Sequence, residues 1–502
     1  ENWFDLNASR YTPSSTLQRM ELLKTGYMGT LSLGWDNYLF LELTGRQERS
    51  STLKDQSFFY PSANLSFLFT QAFHMPSWWN YGKLRLSYGI VGNAPETYTA
   101  NIVYEQGSDN GFTWNTIPSS WGNADIRPEK KYEYEIGLES KFLNNRLGID
   151  VSYYNNRVKD QILSTPQPST SGVKNVLMNV GEVANHGWDI SISATPILTR
   201  DFRWDLTANY GVYKNKVVKL ADGVPYLEIL NSGGSGIKIQ AVEGQPMGDI
   251  YAQVPQVNEN GEYLVSDKGL YLNQTELQKV GNINPAGVGG LFNSFSYKNV
   301  FLDFSIDFRI GGDVINEMNQ YATAVGLTPE SLKYRDTEHG GLSYYYPGDN
   351  NSSGIPVQVD PSTGVGPNGE IIYHDGIILP GVVASTGERN TRIIPAGYYY
   401  NTTYNWGTEA EQLTYRHSVF DNSYVKLREL TIGYQFPEKM ISKLGLGRLS
   451  VSVFGRNLFY FYKALKNYDA ESSVGTSWAN QATVGSSTTA TRSFGVSLRA
   501  SF

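Results

Sequence analysis

In residues 491–502, TRSFGVSLRASF, apolar side chains occupy every second position from Phe494 to Phe502. Phe494 and Leu498 fall on one face of an extended strand, whereas Ser497 and Arg499 fall on the other. Since side chains along a strand alternate with period two, the segment has one apolar face and one polar face. A soluble sheet can carry this pattern, but a transmembrane β-strand requires it, with lipid on one side and water or polar protein on the other.

The same alternation recurs along the chain, and it predicts thirteen strands. A clear example is the apolar series Leu302, Phe304 and Ile306, which alternates with polar residues. The third strand is predicted near 63–71 and a weaker ninth strand over 290–297. The phase of the eleventh slips near Arg428, which indicates a β-bulge.

Charged residues recur on the polar faces of these strands. Charge is costly in a buried sandwich core but ordinary in the wet lumen of a barrel. A charge on the lipid face near the midplane would cost ~2–4 kcal/mol for Arg and less for Asp. We therefore predict that the polar-face set points into a barrel: Arg85, Asp150, Asp189, Asp205, Asp303, Asp307, Arg309, Arg456 and Arg499.

Short and long connections alternate between the predicted strands. The short ones include WDN, FLNN and YKN. The long ones span roughly 46–62, 92–130, 158–180, 215–288, 312–422 and 460–490. Long loops at one edge and short turns at the other are typical of outer-membrane barrels. The sequence predicts an all-β fold, a transmembrane antiparallel up-and-down β-barrel with long extracellular loops and short periplasmic turns.

Loop order also sets the strand direction. Long loops precede the odd-numbered strands, so the first and the last both run toward the periplasm. Closed bacterial barrels have an even number of strands. We therefore expect an odd number of strands ahead of Glu1, and residues 1–502 to be the C-terminal portion of a single transmembrane β-barrel domain.

Composition argues against several classes of protein. A net charge of −7 without a basic cluster disfavours a nucleic-acid partner. No segment approaches the ~18 consecutive apolar residues of a transmembrane helix. The absence of cysteine suits an envelope protein, although a cytosolic protein can also lack it.

Several motifs are similar to the SusC/RagA family of TonB-dependent outer-membrane transporters of Bacteroidetes-type bacteria. They occur in the family's order and cover nearly every predicted strand. The motifs are NNRLGIDVSYYNNRVKDQIL (144–163), NVGEVANHGWDISISATPI (179–197), GNINPAGVGGLFNSFSYKNVFLDFSIDFRIGGDVIN (281–316), NSYVKLRELTIGYQFP (422–437) and VFGRNLFYF (453–461).

The resemblance implies a barrel of about 22 strands with an N-terminal plug. Thirteen strands here would leave about nine absent, together with the plug and the segment that contacts the TonB complex. It also implies a SusD-like surface lipoprotein as a lid and an oligosaccharide or oligopeptide as the ligand. The protein would then be an integral protein of the outer membrane, without a cofactor.

Metal and catalytic signals are weak. The five histidines are scattered, and the stretch around Asn260 and Gly261 has too few carboxylates at EF-hand spacing, so a hairpin turn is the favoured interpretation there over calcium. The glycines at 233–236 lack the Lys-Ser/Thr of a phosphate-binding loop. Asp303 and Asp307 fit lumen charge better than a glycosidase acid pair. We predict no enzyme activity and no metal site.

Aromatic residues in the long loops are the candidates for substrate binding. Aromatic rings beside amides and carboxylates stack on sugars and hydrogen-bond to them. The alternative is that these rings pack the loops together or against the lid. The candidates are Trp114, Trp121, Tyr344, Tyr345, Tyr346, Tyr398 and Trp406. The resemblance also implies that Phe502, the terminal aromatic residue, serves as the signal for outer-membrane assembly.

Three functions fit these patterns. The first is TonB-dependent import of nutrient oligomers with a lid lipoprotein. The second is a β-rich surface protein that binds or hydrolyses glycans, and the third is a passive porin. The identity of the nutrient is not written in the sequence.

Overall fold

A sheet of thirteen strands, numbered β1 to β13 in chain order, dominates the fold. The computed structural model describes residues 19–54, 57–109, 112–232, 236–348, 354–405, 414–442, 445–472, 477–485 and 490–501. Each strand lies beside its predecessor, so the meander is the predicted one. The strands are Lys24–Trp35, Leu39–Ser50, Ser57–Phe67, Trp79–Asn93, Glu129–Phe142, Leu147–Lys159, Glu182–Leu198, Phe202–Lys219, Gly287–Tyr297, Val300–Ile310, Tyr424–Gln435, Arg448–Lys463 and Ser493–Ser501.

The predicted number of strands is confirmed, and two boundaries differ. The third strand ends at Phe67, because Phe69 begins a short helix and packs edge-on against Trp79 with ring centroids 5.3 Å apart. The apolar residues that continue the alternation after Phe67 therefore pack in the turn before β4 and do not extend the strand. The ninth strand begins at Gly287, where three glycines leave Val288 as the one apolar side chain before Leu291 and so hide the period.

The predicted bulge at Arg428 is confirmed. Ser305 of β10 pairs with Glu429 of β11, while the next residue, Ile306, pairs with Leu427. Arg428 is skipped in the ladder, and two consecutive charged residues therefore reach the polar side of the sheet. This explains the phase slip, since an extra residue reverses the alternation beyond it.

The apolar side of the sheet is exposed. Leu31 is 52% exposed, Trp188 49%, Ile432 54% and Val496 71%. A soluble protein rarely leaves so large an apolar surface uncovered. Contact with lipid removes the free-energy cost of exposing apolar side chains to water, so the pattern fits the outer wall of a membrane barrel.

Short links join the strands at one edge, and the long loops at the other edge fold into further structure. Positive φ angles at Asp36 and Asn37 form the tight turn between β1 and β2. Short strands occupy the long loops at Glu105–Asp109, Phe112–Thr116, Ser120–Trp121, Ile162–Pro166, Asn175–Asn179, Tyr226–Ser232, Ile237–Val242, Asp249–Ala252, Leu264–Val265, Gln278–Asn282, Asp313–Ile315, Leu342–Tyr345, Val357–Gln358, Tyr373–Ile377, Val382–Val383, Ile394–Pro395 and Val419–Asp421.

The helices are short. Those with α geometry span Phe69–Ala72, Glu317–Ala324, Ala396–Tyr404 and Glu438–Ile441. Single 3₁₀ turns occupy Ser169–Ser171, Pro329–Leu332, Tyr415–Ser418 and Asn480–Ala482. Among the described residues, no helix combines the length and the apolar character needed to cross a bilayer.

The chain divides into two compact units, each with its own core. The first comprises Glu1–Ser66, Leu86–Tyr134 and Asn156–Val183, and the second comprises Phe67–Arg85, Glu135–Asn155 and Ala184–Phe502. In the first unit the core consists of Leu53, Phe58 and Ile126. In the second unit one core cluster contains Ile237, Ile239, Ile250, Ile283, Ile315, Tyr415 and Val419.

We expect a charge on the apolar face to be far more damaging than one on the polar face of the same strand. Ile432→Arg places a cation toward lipid and should destabilise the folded protein by ~2–4 kcal/mol. Thr431→Arg is the matched control, because Thr431 pairs with Asp303 in the ladder, where a cation finds a carboxylate. Unfolding of the full-length protein in lipid vesicles by guanidinium measures both. Equal losses for the two variants would contradict the assignment of faces.

Candidate functional site

A cavity of about 730 Å³ lies on the polar face of the sheet in the second unit. Four residues of the predicted polar-face set line it together, namely Arg85, Asp150, Asp189 and Asp307. They come from β4, β6, β7 and β10, so the antiparallel order brings residues far apart in sequence to one wall. The side chains of Tyr210 and Tyr424 also border the space.

Ion pairs compensate part of the charge of this cavity. Arg85 donates to both oxygens of Asp150, from Nη2 to Oδ1 at 2.6 Å and from Nη1 to Oδ2 at 3.1 Å. Arg428 donates from Nε to Asp307 Oδ2 at 2.5 Å. Within the described part of the chain, Asp189 has no salt-bridge partner. The wall therefore presents one uncompensated carboxylate beside paired charges, which favours polar or cationic groups of a ligand.

The rest of the polar-face set also lies among polar partners. Asp303 and Arg499 line a second cavity of about 440 Å³. Asp205 accepts hydrogen bonds from Arg203 and Thr195, and Arg456 donates to Glu429 at 2.9 Å. The remaining member, Arg309, donates to backbone carbonyls at the base of the loops. These contacts agree with the predicted orientation, toward polar surroundings and away from the apolar face.

The aromatic candidates of the first unit are partly accessible. Trp114 lies in the hairpin formed by Glu105–Asp109 and Phe112–Thr116 and is 46% exposed. Trp121 is half-buried and meets Tyr104 edge-on, with ring centroids 6.2 Å apart. Trp114 thus presents a free ring surface, whereas Trp121 is partly occupied by its neighbour.

The structure places two of the predicted substrate-binding tyrosines inside a loop core. Tyr344 is 1% exposed and Tyr346 4% exposed, and both pack against Tyr373. Tyr344 also donates from its hydroxyl to Asp375 at 3.0 Å. These two rings support the loop, as in the packing alternative, and present no stacking surface to a ligand.

Other candidates in the second unit remain accessible or lie outside the described residues. Tyr345 is half-buried, because neighbouring residues of a strand point to opposite sides. Tyr398 lies on the helix Ala396–Tyr404 and is 37% exposed. Trp406 and the proposed assembly signal Phe502 lie outside the described residues.

Comparison with known proteins gives one consistent family. Residues 4–249 match the family model described as TonB dependent receptor-like, beta-barrel. TonB-dependent receptor P3 of Formosa agariphila is 24% identical over 494 residues, which cover 89% of this chain and 42% of the relative. TonB-dependent receptor SusC of Bacteroides thetaiotaomicron is 30% identical over 247 residues, which cover 45% of this chain and 24% of the relative.

A solved structure shares the fold of this chain. The structure of the RagAB peptide transporter superposes with a TM-score of 0.67 at 18% identity, covering 94% of this chain and 48% of that chain. The chain is similar to TonB-dependent receptors of the SusC/RagA type. It is therefore an outer-membrane β-barrel protein, and it spans less than half the length of these relatives.

In this SusC/RagA-like barrel, the motif GNINPAG ties the wall to the loops. Arg309 at the end of β10 donates from Nη2 to the carbonyl of Ile283 at 3.1 Å. Asp313 accepts from the backbone N–H of Asn282 at 2.8 Å, and burial raises the pKa of this carboxyl. A Cβ at Gly312, where φ is +79°, would lie 2.4 Å from Arg309 Nη2. The backbone of the motif therefore has a structural role at the base of the loops.

The stretch compared with a calcium loop is a hairpin turn, as favoured from the sequence. Val257 pairs with Tyr263, and Gly261 donates its N–H to the carbonyl of Asn258 at 3.0 Å with φ at +79°. In the described ranges, no three His, Asp or Glu side chains are grouped so that they would hold a metal ion.

A cluster of tyrosines around His417 was not predicted from the sequence. The His417 ring stacks on Tyr404 with centroids 4.5 Å apart, and Tyr399 and Tyr400 surround Tyr404. Burial lowers the pKa of His417 to about 4, and the charge of Arg416 contributes in the same direction. Tyr404 and His417 are 13 positions apart in the sequence, so no local period reveals their contact.

We expect acid to loosen this cluster through His417. The pKa of an unfolded histidine is ~6.5, so the unfolded loop binds a proton that the folded loop excludes. The free energy of local unfolding should therefore fall as the pH drops from ~6.5 to ~4, by up to ~3 kcal/mol.

Hydrogen exchange of the 415–418 backbone, corrected for intrinsic rates, measures this loss. His417→Phe keeps an aromatic ring on Tyr404 without a titrating group and should remove the pH dependence. The same pH dependence in both proteins would contradict the assignment.

Proposed function

We propose that this barrel takes part in the TonB-dependent import of nutrient oligomers across the outer membrane. The observation that carries the proposal is the polar cavity, in which residues of β4, β6, β7 and β10 line one wall opposite an apolar, lipid-facing surface. Such a wall suits the passage or docking of polar cargo. The large exposed apolar surface argues against a soluble glycan-binding protein.

The proposed assembly has parts beyond this chain. Residues 1–502 would be the C-terminal portion of one barrel domain, with the remaining strands and a plug supplied by the rest of the protein. A SusD-like surface lipoprotein would cover the loop side, and a TonB complex would supply energy through the N-terminal region of the whole protein. The RagAB neighbour is described as a peptide transporter, and SusC is named as a TonB-dependent receptor.

An oligosaccharide or an oligopeptide is the proposed cargo class. Both present alternating apolar surfaces and hydrogen-bonding groups. The loops offer exposed rings such as Trp114 and Tyr398, and the wall offers carboxylates and amides such as Asp189 and Asn209. Ring faces and polar groups together recognise such ligands.

Uptake by the full-length protein tests the proposal. In a strain that lacks the chromosomal copy, the restored protein should support growth on one class of oligomer, and a protonophore should abolish uptake of the labelled oligomer. Uptake that continues in the presence of the protonophore would instead indicate a passive porin. If the strain that lacks the protein grew on every oligosaccharide and oligopeptide tested, the proposed import function would be wrong.

We expect the accessible loop aromatics to contribute to ligand binding. Trp114→Ala and Tyr398→Ala should each weaken binding by ~1–3 kcal/mol, the magnitude found when an aromatic ring stacks on a planar ligand such as a base. Trp78→Ala is the matched control, since Trp78 is 52% exposed but lies in the short link before β4. Calorimetry with the purified full-length protein measures the three affinities. If Trp114→Ala and Tyr398→Ala bound the ligand as tightly as the control Trp78→Ala, these two rings would not be part of the binding site.

A further inference from the structure

A cavity of about 500 Å³ lies at the loop edge of the first unit, and we name it the loop cavity. Part of its lining flanks the first hairpin at the end away from the short link, since Leu23 directly precedes β1 and Ser51 directly follows β2. The segment 97–101, in the long loop between β4 and β5, supplies the rest. The polar side chains of the lining belong to Glu21, Ser51, Thr52, Thr97, Tyr98 and Asn101. The volume falls within the ~300–1,000 Å³ of small-molecule sites.

The lining of the loop cavity is held in place by the core of the first unit and by backbone hydrogen bonds. Leu53, which follows the lining on the β2 side, is buried in that core, and Ala100 packs against the same core. Leu23 and Ser51 are joined twice. The Leu23 N–H donates to Ser51 Oγ at 3.0 Å, and the Ser51 N–H donates to the Leu23 carbonyl at 2.9 Å. A ligand would therefore meet a cavity whose walls are already ordered, which lowers the entropic cost of binding.

Tyr98 is held in an unfavourable backbone conformation beside this cavity. Its φ is +66°, in the left-handed region that bulky residues rarely adopt. The Asn101 N–H donates to the Tyr98 carbonyl, and the Glu21 N–H donates to the Tyr98 hydroxyl, each at 3.1 Å. A Cβ at Gly122 would lie 2.1 Å from the Asn101 carbonyl oxygen, so only glycine permits this close approach. Such strained residues persist where the surroundings hold them, and they cluster at ligand clamps.

The chemistry of the lining selects a neutral, hydroxyl-rich ligand. Glu21 is the one charged residue of the lining, and its carboxylate forms an ion pair with Arg19. Tyr98 is 49% exposed, and the side-chain amide of Asn101 has no hydrogen-bond partner in the described part of the chain. A sugar presents an apolar face that stacks on a ring and hydroxyls that bond to amides and to other hydroxyls. Since the lining offers no uncompensated charge, a neutral saccharide fits it better than a charged oligomer.

We propose that the loop cavity is a binding subsite for a neutral oligosaccharide, in which the Tyr98 ring stacks on one sugar and the Asn101 amide hydrogen-bonds to its hydroxyls. This rests on the proposed import function, of whose two cargo classes it selects one. Binding to the purified protein needs no energy source, so it is measured separately from uptake. Loss of the subsite with continued uptake would count against the subsite alone, whereas saccharide binding without uptake would support the subsite and count against import.

Fluorescence polarisation with the purified full-length protein in detergent tests the class of ligand. The probes are fluorescently labelled neutral hexasaccharides of glucose, mannose, xylose and galactose, and a labelled hexapeptide of alternating serine and alanine serves as the neutral peptide. We expect at least one hexasaccharide to bind and the hexapeptide to bind far more weakly. Binding of none of the hexasaccharides, or equally tight binding of the hexapeptide, would overturn the proposal.

Substitutions of Tyr98 test the site itself. Tyr98→Asn removes the ring but keeps a residue that tolerates the left-handed conformation, and it should weaken binding of that hexasaccharide by about tenfold. Tyr98→Phe keeps the ring without the hydroxyl that accepts from Glu21, and it should bind nearly as tightly as the parent. Tyr104→Ala is the matched control, because Tyr104 is 63% exposed in the same long loop but does not line the cavity.

A second site keeps the test decisive if Tyr98→Asn fails to fold. Asn101 is exposed and contributes to the turn through its backbone, so Asn101→Ala should leave the fold intact and weaken binding several-fold. Heat-modifiable gel mobility verifies that each barrel is folded. Parental affinity in the folded Tyr98→Asn and Asn101→Ala variants would overturn the subsite. An equal loss of affinity in Tyr104→Ala would show a general effect of the loop and would overturn it as well.

Discussion

The structure depends on one constraint, which is that a bilayer offers no hydrogen bonds to a polypeptide backbone. Every N–H and C=O at membrane depth must then find a partner within the protein, and a continuous antiparallel sheet satisfies this requirement strand by strand. Thirteen consecutive strands in simple meander order meet it with short links at one edge. The loops at the other edge are released from this constraint, and they are where the chain folds like a soluble protein.

That division determines where the hydrophobic effect acts. In the sheet, residues such as Ile432 and Val496 remain exposed because lipid is their solvent. In the loops, Ile237, Ile250 and Ile315 are fully buried in ordinary cores. In the residues that the structure describes, the loops are thus folded layers. Candidate binding residues must be judged by their place in these layers, as the burial of Tyr344 demonstrates.

Sequence reasoning succeeded where the signal is local and periodic. The number of strands, their order and the bulge at Arg428 all follow from an alternation that needs no knowledge of distant residues. The candidate site was harder to predict from the sequence. Tyr344 and Tyr345 are neighbours in a run of three tyrosines, yet only their pairing in a loop sheet determines that one is buried and the other half-buried. The contact of Glu471 with Arg428 joins residues 43 positions apart, and no spacing rule predicts it.

The bulge shows how an exception to a periodic pattern can carry more information than the pattern. A regular β11 would satisfy the backbone equally well and keep the ladder unbroken. The extra residue interrupts that ladder and is tolerated because it brings a guanidinium to the polar side, where Arg428 contacts a wall carboxylate, an amide and a loop carboxylate at once. A lysine has a single charged nitrogen and could not span all three. The interruption of the alternation is therefore explained by the junction between wall and loop.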